Sequence, residues 1–248
     1  MPMNPLPSPT QALAIARTVL ASRYADAAYA FAAGSILRGE GTHGSDIDLV
    51  VVYDRLPAAR REAFVAQGVP IEAFVHDQGT LAWFVDDDVA RGRPSLPHMI
   101  AEGSILGAAV ERAQAMQRNA SERLRAGPPP LSPAQLQALR YEITDLVDDL
   151  QGERSAAQIV AIGATLYPRL VELALRGRGC WHGTGKWAPR LLARADADLA
   201  ARFEHAFAAL FATSACAPAI ALALQEMAPH GGRLFDGDCR TAPAHWRS

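Results

Sequence analysis

The chain has 248 residues, half of them hydrophobic and a fifth charged, and its 24 basic and 26 acidic side chains leave a net charge of −2. A chain of this size buries roughly 70% of its unfolded surface, which allows one large or two small cores and argues against disorder. A basic excess for wrapping nucleic acid is absent, and no run of about 18 apolar residues predicts a membrane span. We therefore expect neither nucleic acid nor membrane as a partner.

The first half of the sequence mixes helical and strand patterns. The predicted elements in chain order are a helix at 10–23, strands at 27–33 and 47–53, a helix at 57–67, a strand at 69–75, and helices at 81–90 and 97–117. The β-branched run at 47–53 is the strongest strand signal in the chain.

The second half of the sequence is predicted to be entirely helical. Three successive prolines within residues 119–133 cannot continue a helix, so this stretch is the predicted linker between a domain at 1–118 and a domain at 134–248. The predicted helices cover 133–151, 156–176, 188–194, 196–213 and 218–227. The predicted fold class is α+β, with a mixed sheet and helices followed by an all-α helical bundle.

The cellular location is predicted from the cysteines and the N-terminal residues. Cys180, Cys216 and Cys239 form no CxxC pair and no zinc spacing, and the first residues lack the pattern of a secretory signal. Reduced thiols of this kind are typical of a cytoplasmic protein.

The paired aspartates at the start of the 47–53 strand are the first candidate site. Side chains alternate along a strand, so Asp46 and Asp48 share one face about 7 Å apart. Carboxylates at that spacing can hold two divalent ions about 3.5–4 Å apart, the arrangement used for displacement at phosphorus. A divalent cation would also relieve the repulsion between two buried like charges.

Two further features surround the aspartates in the sequence. Gly34 and Ser35 open a tight turn whose backbone N–H groups and hydroxyl suit phosphate oxygens. A glycine-containing spacer then allows this turn to return beside Asp46. Glu72, on the strand at 69–75, is expected to complete a three-carboxylate cluster if the two strands are neighbours.

This joint pattern resembles the nucleotidyltransferase fold of the DNA polymerase β superfamily, and the helical half looks like the aminoglycoside and lincosamide nucleotidyltransferase branch. The resemblance implies a catalytic first domain and a substrate-binding helical domain. It implies Mg²⁺, as two ions, at Asp46 and Asp48 with help from Glu72, and triphosphate contacts at Gly34 and Ser35. We count Ser45 among the nucleotide-binding candidates as well.

Two cations are candidates for the triphosphate. Arg38 lies one turn beyond Ser35, where it meets a β- or γ-phosphate or instead pairs with Glu40 at the surface. Lys186 follows a glycine-rich stretch that does not fit a P-loop, and it either reaches the triphosphate or lies in an ordinary loop.

An acidic stripe on the 133–151 helix supplies a candidate general base. At 100° per residue, Glu142, Asp145 and Asp149 fall within about 60° of arc beside the apolar face. Asp145, the middle carboxylate, is the first choice for deprotonating the acceptor, and a solvated acidic helix face is the alternative. Arg240 and His245 have a spacing typical of a helical nuclease motif, but Pro243 between them excludes a helix.

The sequence therefore predicts a Mg²⁺-dependent enzyme that transfers a nucleoside monophosphate, AMP from ATP in the first instance, to a hydroxyl of a small molecule, with release of pyrophosphate. An aminoglycoside-type antibiotic is the leading acceptor class by resemblance. The alternatives are an antitoxin-like enzyme that nucleotidylates a protein and a nucleotide-binding regulatory module without turnover. A homodimer is left open.

Overall fold

The structure is a computed structural model that describes residues 6–239 and 241. Residues 1–5, Arg240 and His245 lie outside the described residues. The chain divides into two compact units, Met1–Gly127 and Pro128–Ser248.

A mixed sheet forms the centre of the first unit, and in the described residues it has five strands in the order β3-β4-β2-β1-β5. The strands are β1 (Tyr29–Ala33), β2 (Ile47–Tyr53), β3 (Arg60–Ala66), β4 (Val69–Asp77) and β5 (Ser104–Gly107). β2 and β4 pair in parallel, whereas β1 is antiparallel to β2 and β5, and β3 is antiparallel to β4. The N-terminal ends of β2 and β4 therefore lie at the same edge of the sheet.

Helices cover both faces of this sheet. One face packs against α1 (Pro9–Arg23), and the other against α2 (Gln78–Arg91), α3 (Ser95–Glu102) and α4 (Val110–Ala126). The alternation along β2 sets the two cores, with Ile47, Leu49 and Val51 toward α1, and Val50 and Val52 toward the other helices. Asp48 follows the same alternation and shares the face of Val50.

The helix predicted at 57–67 is wrong, because β3 occupies most of that segment. β3 joins β4 through Gln67 and Gly68, whose φ angles of 50° and 79° are those of a two-residue hairpin turn. Phe64 on β3 packs against the α1 core. Pairing with β4 thus overrides the local helix preference of the Ala, Arg and Glu residues in this stretch.

The helix predicted at 97–117 is also wrong, because two helices flank the edge strand β5. At Gly103, where α3 ends, a Cβ would lie 2.4 Å from the Met99 carbonyl oxygen and 2.9 Å from the Phe31 Cβ. α4 then runs to Ala126, so residues 119–126 of the predicted linker are helical, and the break comes at Gly127 before the prolines. The roles assigned to the two domains stay a prediction.

The second unit contains the helices α5 (Pro133–Gln151), α6 (Ala156–Arg176), α7 (Trp187–Ala195), α8 (Ala197–Thr213) and α9 (Ala217–Met227). Ser132 and Ser155 cap α5 and α6 by accepting hydrogen bonds from Gln135 N and Gln158 N. At Gly163 a Cβ would lie 2.2 Å from Leu210 Cδ2, so α6 and α8 pack closely there. The predicted α+β fold class, a mixed sheet followed by a helical bundle, is confirmed.

One of the described helices, α6, is long and apolar enough to cross a membrane, contrary to the expectation of no membrane span. α6 has a mean hydropathy of 1.2 over 18 residues, and 44% of that window is buried inside the protein. The helix is not an uninterrupted apolar run, because it contains Arg169 and Glu172, which form an ion pair. Its buried side chains, including Leu166 and Leu170, belong to the core of the bundle, which is typical of a central bundle helix.

Candidate active site

Three carboxylates meet at the edge of the sheet where β2 and β4 begin. Asp46 precedes β2, and Asp48 on β2 lies directly opposite Glu72 on the parallel strand β4. One ligand oxygen from each of the three residues lies within 4.8 Å of the others, and all three residues are half-buried. The predicted juxtaposition of these carboxylates is confirmed, because parallel pairing brings equivalent positions of the two strands together.

The donor set fits a hard divalent cation. Carboxylate oxygens are the ligands that Mg²⁺ takes in phosphoryl-transfer sites, where one or two carboxylates usually act together with substrate phosphates. Three negative charges this close repel one another, and a divalent cation would offset that repulsion.

The Gly-Ser turn lies against the aspartate strand. Gly34 follows β1 with a φ of +111°, a value that favours glycine. A Cβ at this position would lie 3.0 Å from the Asp46 carbonyl oxygen and 3.2 Å from Asp48 Oδ2. The turn can therefore approach the carboxylates this closely because residue 34 has no side chain.

Hydrogen bonds to the Ser45 hydroxyl connect the turn to the residue before Asp46. Ser35 Oγ donates to Ser45 Oγ at 3.2 Å, and Thr42 N donates to the same oxygen at 2.9 Å. Glu40 N donates to the Ser35 carbonyl at 2.9 Å, which closes the turn after Ser35. The structure thus brings together Gly34, Ser35 and Ser45 beside the carboxylates, and their nucleotide contacts stay a prediction.

Arg38 takes up ion pairs at the surface of the same turn. Its guanidinium lies 3.2 Å from Glu40 and 3.5 Å from Glu102. The pairing with Glu40 is one of the two alternatives left open by the sequence. An exposed pair of this kind is weak and can exchange for a phosphate, so phosphate binding by Arg38 stays a prediction.

Arg61 was not identified from the sequence, although it contacts the candidate site. It forms an ion pair with Glu72 Oε1, and the Arg61 side chain is 67% exposed whereas that of Glu72 is 18% exposed. The incorrect helix prediction at 57–67 concealed this contact. A strand reading of the same residues, paired with β4, would have placed Arg61 on the face of Glu72.

His76 is a second residue near the site that was not predicted from the sequence. It lies on β4, four residues after Glu72 and on the same face, and it is only 4% exposed. Its ring packs edge-on against Phe84 at 5.2 Å, and its Nδ1 has no hydrogen-bond partner among the described residues. Burial lowers the pKa of His76, and the charge of Asp77 opposes this effect in part.

A cavity of about 780 Å³ lies on the α1 side of the sheet. It is bounded by α1, the loop at 43–45 and the turn between β3 and β4, and it includes Ser45 but none of the three carboxylates. Asp48 and Glu72 lie on the opposite face of the sheet, the face of Val50.

The acidic stripe predicted on α5 lies in the second unit and is largely ion-paired. Glu142 pairs with Arg169 at 2.9 Å and Asp149 pairs with Arg154 at 2.8 Å. Asp145 between them is exposed and makes no hydrogen bond or ion pair with the described part of the chain. Its role as the base stays a prediction.

Lys186 also lies in the second unit, at the N-cap of α7. It is exposed and, in the part of the chain that the structure describes, forms no ion pair. It is the only lysine in the sequence, because all the other basic residues are arginines. The side chain that follows, Trp187, lies 5.3 Å from the guanidinium of Arg190.

Comparison with known proteins is consistent with the chemistry of the first unit. Residues 13–82 match the family described as the nucleotidyltransferase domain, and this segment contains the Gly-Ser turn and all three carboxylates. No curated protein matches the sequence. A solved structure of a nucleotidyltransferase-like protein from Exiguobacterium sibiricum is similar to this chain with a TM-score of 0.46 and 12% sequence identity, covering 87% of this chain and 73% of that one. The domain match supports a nucleotidyl-transfer enzyme that uses an NTP and a divalent metal.

Proposed function

We propose that this chain, which carries a nucleotidyltransferase domain over residues 13–82, transfers AMP from ATP to a hydroxyl of a small molecule. The acceptor oxygen bonds to the α-phosphorus, the bond from that phosphorus to the bridging oxygen breaks, and pyrophosphate leaves with that oxygen. The observation that carries the proposal is the packing of the Gly34 turn against the strand that bears Asp46 and Asp48.

The three carboxylates are the residues that would hold the metal in this proposal. Asp46, Asp48 and Glu72 offer the oxygens for Mg²⁺, with two ions as the expected number. When bound, Mg²⁺ supplies charge neutralisation at the phosphate oxygens and lowers the pKa of an oxygen that it ligates. The protein's own part is to keep the three side chains at one sheet edge, which parallel pairing of β2 and β4 does.

The Gly-Ser turn is assigned to the triphosphate. Gly34 leaves room for the chain to approach the carboxylates, and the hydroxyls of Ser35 and Ser45 are donors for phosphate oxygens. Binding requires Ser35 to redirect its proton from Ser45 to the phosphate. Arg38 would exchange its carboxylate partners for a β- or γ-phosphate, since both pairs are exposed.

Lys186 is assigned to the triphosphate as well. Because it is the only lysine in the sequence, protection of its amine by nucleotide can be tested directly. Pyridoxal phosphate with borohydride modifies side-chain amines, and Lys186 is the single side-chain target. Mg²⁺-ATP should slow its modification, measured by peptide mass spectrometry with the N-terminal amine as internal reference. Equal modification rates with and without nucleotide would remove Lys186 from the site.

The acceptor is assigned to the helical unit. Asp145 is the proposed base, because it is exposed and, among the described residues, pairs with no arginine, whereas Glu142 and Asp149 do. A polyhydroxylated cation of the aminoglycoside type suits an acidic helix and remains the leading class. A cytoplasmic location and absence of nucleic acid or membrane partners remain part of the proposal.

The deciding experiment is an acceptor screen with Mg²⁺ and ATP labelled at the α-phosphate, followed by pyrophosphate release and by label transfer. Asp46→Asn and Asp48→Asn should abolish transfer, whereas Asp54→Asn, which removes an exposed carboxylate just after β2, should not. Label on a protein instead of a small molecule would favour protein nucleotidylation. Tight Mg²⁺-ATP binding without any transfer would favour a regulatory module.

A further inference from the structure

The two arginines at the start of β3 point to opposite faces of the sheet. Arg60 pairs with Glu62 at 2.6 Å, and Glu62 also contacts Arg23 and Tyr24 on the α1 side. Arg61 points to the other face, where it pairs with Glu72 of the carboxylate cluster. Neighbouring residues of the same type thus have different partners, because strand side chains alternate.

The register of the hairpin determines the contact between Arg61 and Glu72. Ala63 is directly opposite Glu72, and Arg61 is directly opposite Phe74, so Arg61 reaches Glu72 along the diagonal of the ladder. The Arg61 guanidinium lies 5.8 Å from the centre of the Phe74 ring on the same face. The Arg61 side chain is therefore positioned by two contacts, the Glu72 carboxylate and the Phe74 ring, although it is largely exposed.

Glu72 consequently has two competing uses. Its carboxylate is one of the three groups close enough to share a cation, and the same carboxylate is the partner of Arg61. A divalent cation that binds this cluster meets a positive guanidinium at its Glu72 side. Coulomb repulsion and the loss of the ion pair both oppose that binding.

We infer that Arg61 is a positioning residue that acts as the counterion of Glu72 in the metal-free protein and gives way when a divalent cation binds. This inference rests on the proposed function, since it assumes that the carboxylates hold a metal. In this role the Arg61 guanidinium competes with the divalent cation for Glu72. It therefore weakens cation binding until a bound nucleotide adds the negative charges of its phosphates. Arg61 acts through Glu72 and has no assigned contact with a substrate.

The test is a titration with Mn²⁺ in the absence of nucleotide, followed by electron paramagnetic resonance of the free ion. Arg61→Gln should bind Mn²⁺ about fivefold more tightly than the unchanged protein, the upper end for an exposed ion pair. Arg61→Lys, which keeps the charge, should stay within about twofold of the unchanged protein. Arg60→Gln is the matched control on the opposite face and should leave Mn²⁺ affinity unchanged.

A second measurement covers the case in which Arg61→Gln does not fold. In the unchanged protein labelled with ¹⁵N-arginine, Mg²⁺ should shift the Nε signal of Arg61, identified by its loss in Arg61→Lys, while leaving that of Arg60 in place.

Unchanged or weaker Mn²⁺ binding by Arg61→Gln, or an Nε signal that does not respond to Mg²⁺, would overturn the inference. Asp48→Asn separates the two hypotheses. If it abolishes Mn²⁺ binding while Arg61→Gln has no effect, the metal site stands and only the role of Arg61 fails. If Asp48→Asn leaves Mn²⁺ binding intact, the metal assignment in the proposed function fails as well.

Discussion

Replacement of Gly34 by alanine tests whether the close approach of the turn to the carboxylates matters. The φ of +111° strains any L-residue, at a cost of about 1–3 kcal/mol. The new Cβ would also lie 3.0 Å from the Asp46 carbonyl oxygen and 3.2 Å from Asp48 Oδ2, so the aspartate strand must shift by a few tenths of an ångström. Together we expect a loss of about 2–4 kcal/mol in the free energy of unfolding.

The substitution should also impair function, because the shift falls on the two aspartates of the carboxylate cluster. We expect Gly34→Ala to weaken Mn²⁺ binding about tenfold and to reduce nucleotidyl transfer by up to about 100-fold, as small displacements of catalytic groups do. Urea unfolding followed by circular dichroism measures the free energy of unfolding. Mn²⁺ titration measures the metal affinity, and label transfer measures the nucleotidyl-transfer activity.

Gly39→Ala is the matched control for the backbone strain. Gly39 has a φ of +75° in the same turn, but a Cβ there would meet nothing within 4 Å among the described residues. It should lose about 1–2 kcal/mol of stability without a change in Mn²⁺ affinity. If Gly34→Ala and Gly39→Ala have the same Mn²⁺ affinity, the contact with Asp48 does not constrain the site, and the reasoning from close approach is refuted.

Three further predictions concern single side chains. Ser45→Ala removes the acceptor of the Ser35 and Thr42 hydrogen bonds, so KM for ATP should rise about threefold to tenfold while Ser45→Thr restores it, and an unchanged KM would exclude this role. Asp145→Ala should lower kcat about 100-fold if Asp145 is the base, whereas unchanged turnover would assign the base elsewhere. Burial lowers the pKa of His76 below its usual value of 6.5, so the unfolded state takes up a proton on this side chain before the folded state does as the pH falls. The stability of the folded state is therefore unaffected by His76 above pH 6.5. Below pH 6.5 the free energy of unfolding declines by up to about 1.4 kcal/mol per pH unit. His76→Phe should flatten this decline in urea unfolding at pH 5.0–7.5, and an equal slope in both proteins would contradict the assignment.

The core of the candidate site was predictable because its signals are local. A glycine before a serine, two aspartates at alternate positions and a β-branched run are all visible within short windows, and the position of Glu72 in the next strong strand followed from them. Parallel pairing of β2 and β4 then brings Glu72 opposite Asp48.

Arg61 and His76 were missed for different physical reasons. Arg61 lies in a segment whose composition favours a helix, and its contact with Glu72 exists only because the Gln67–Gly68 turn folds β3 back onto β4. His76 continues a strand that was predicted to end at residue 75, and its burial comes from α2, whose Phe84 covers it.

The sequence by itself determined the α+β class, the helical character of the second half and the identity of the three carboxylates, since each depends on periodicity or on residue type at short spacing. Tertiary structure alone decided which faces meet. It placed Asp48 opposite Glu72, turned residues 60–66 into an edge strand and set Arg61 against the carboxylate cluster. The physical reason is that strand pairing depends on hydrogen bonds between separate segments, so the composition of one segment taken alone does not reveal its partner.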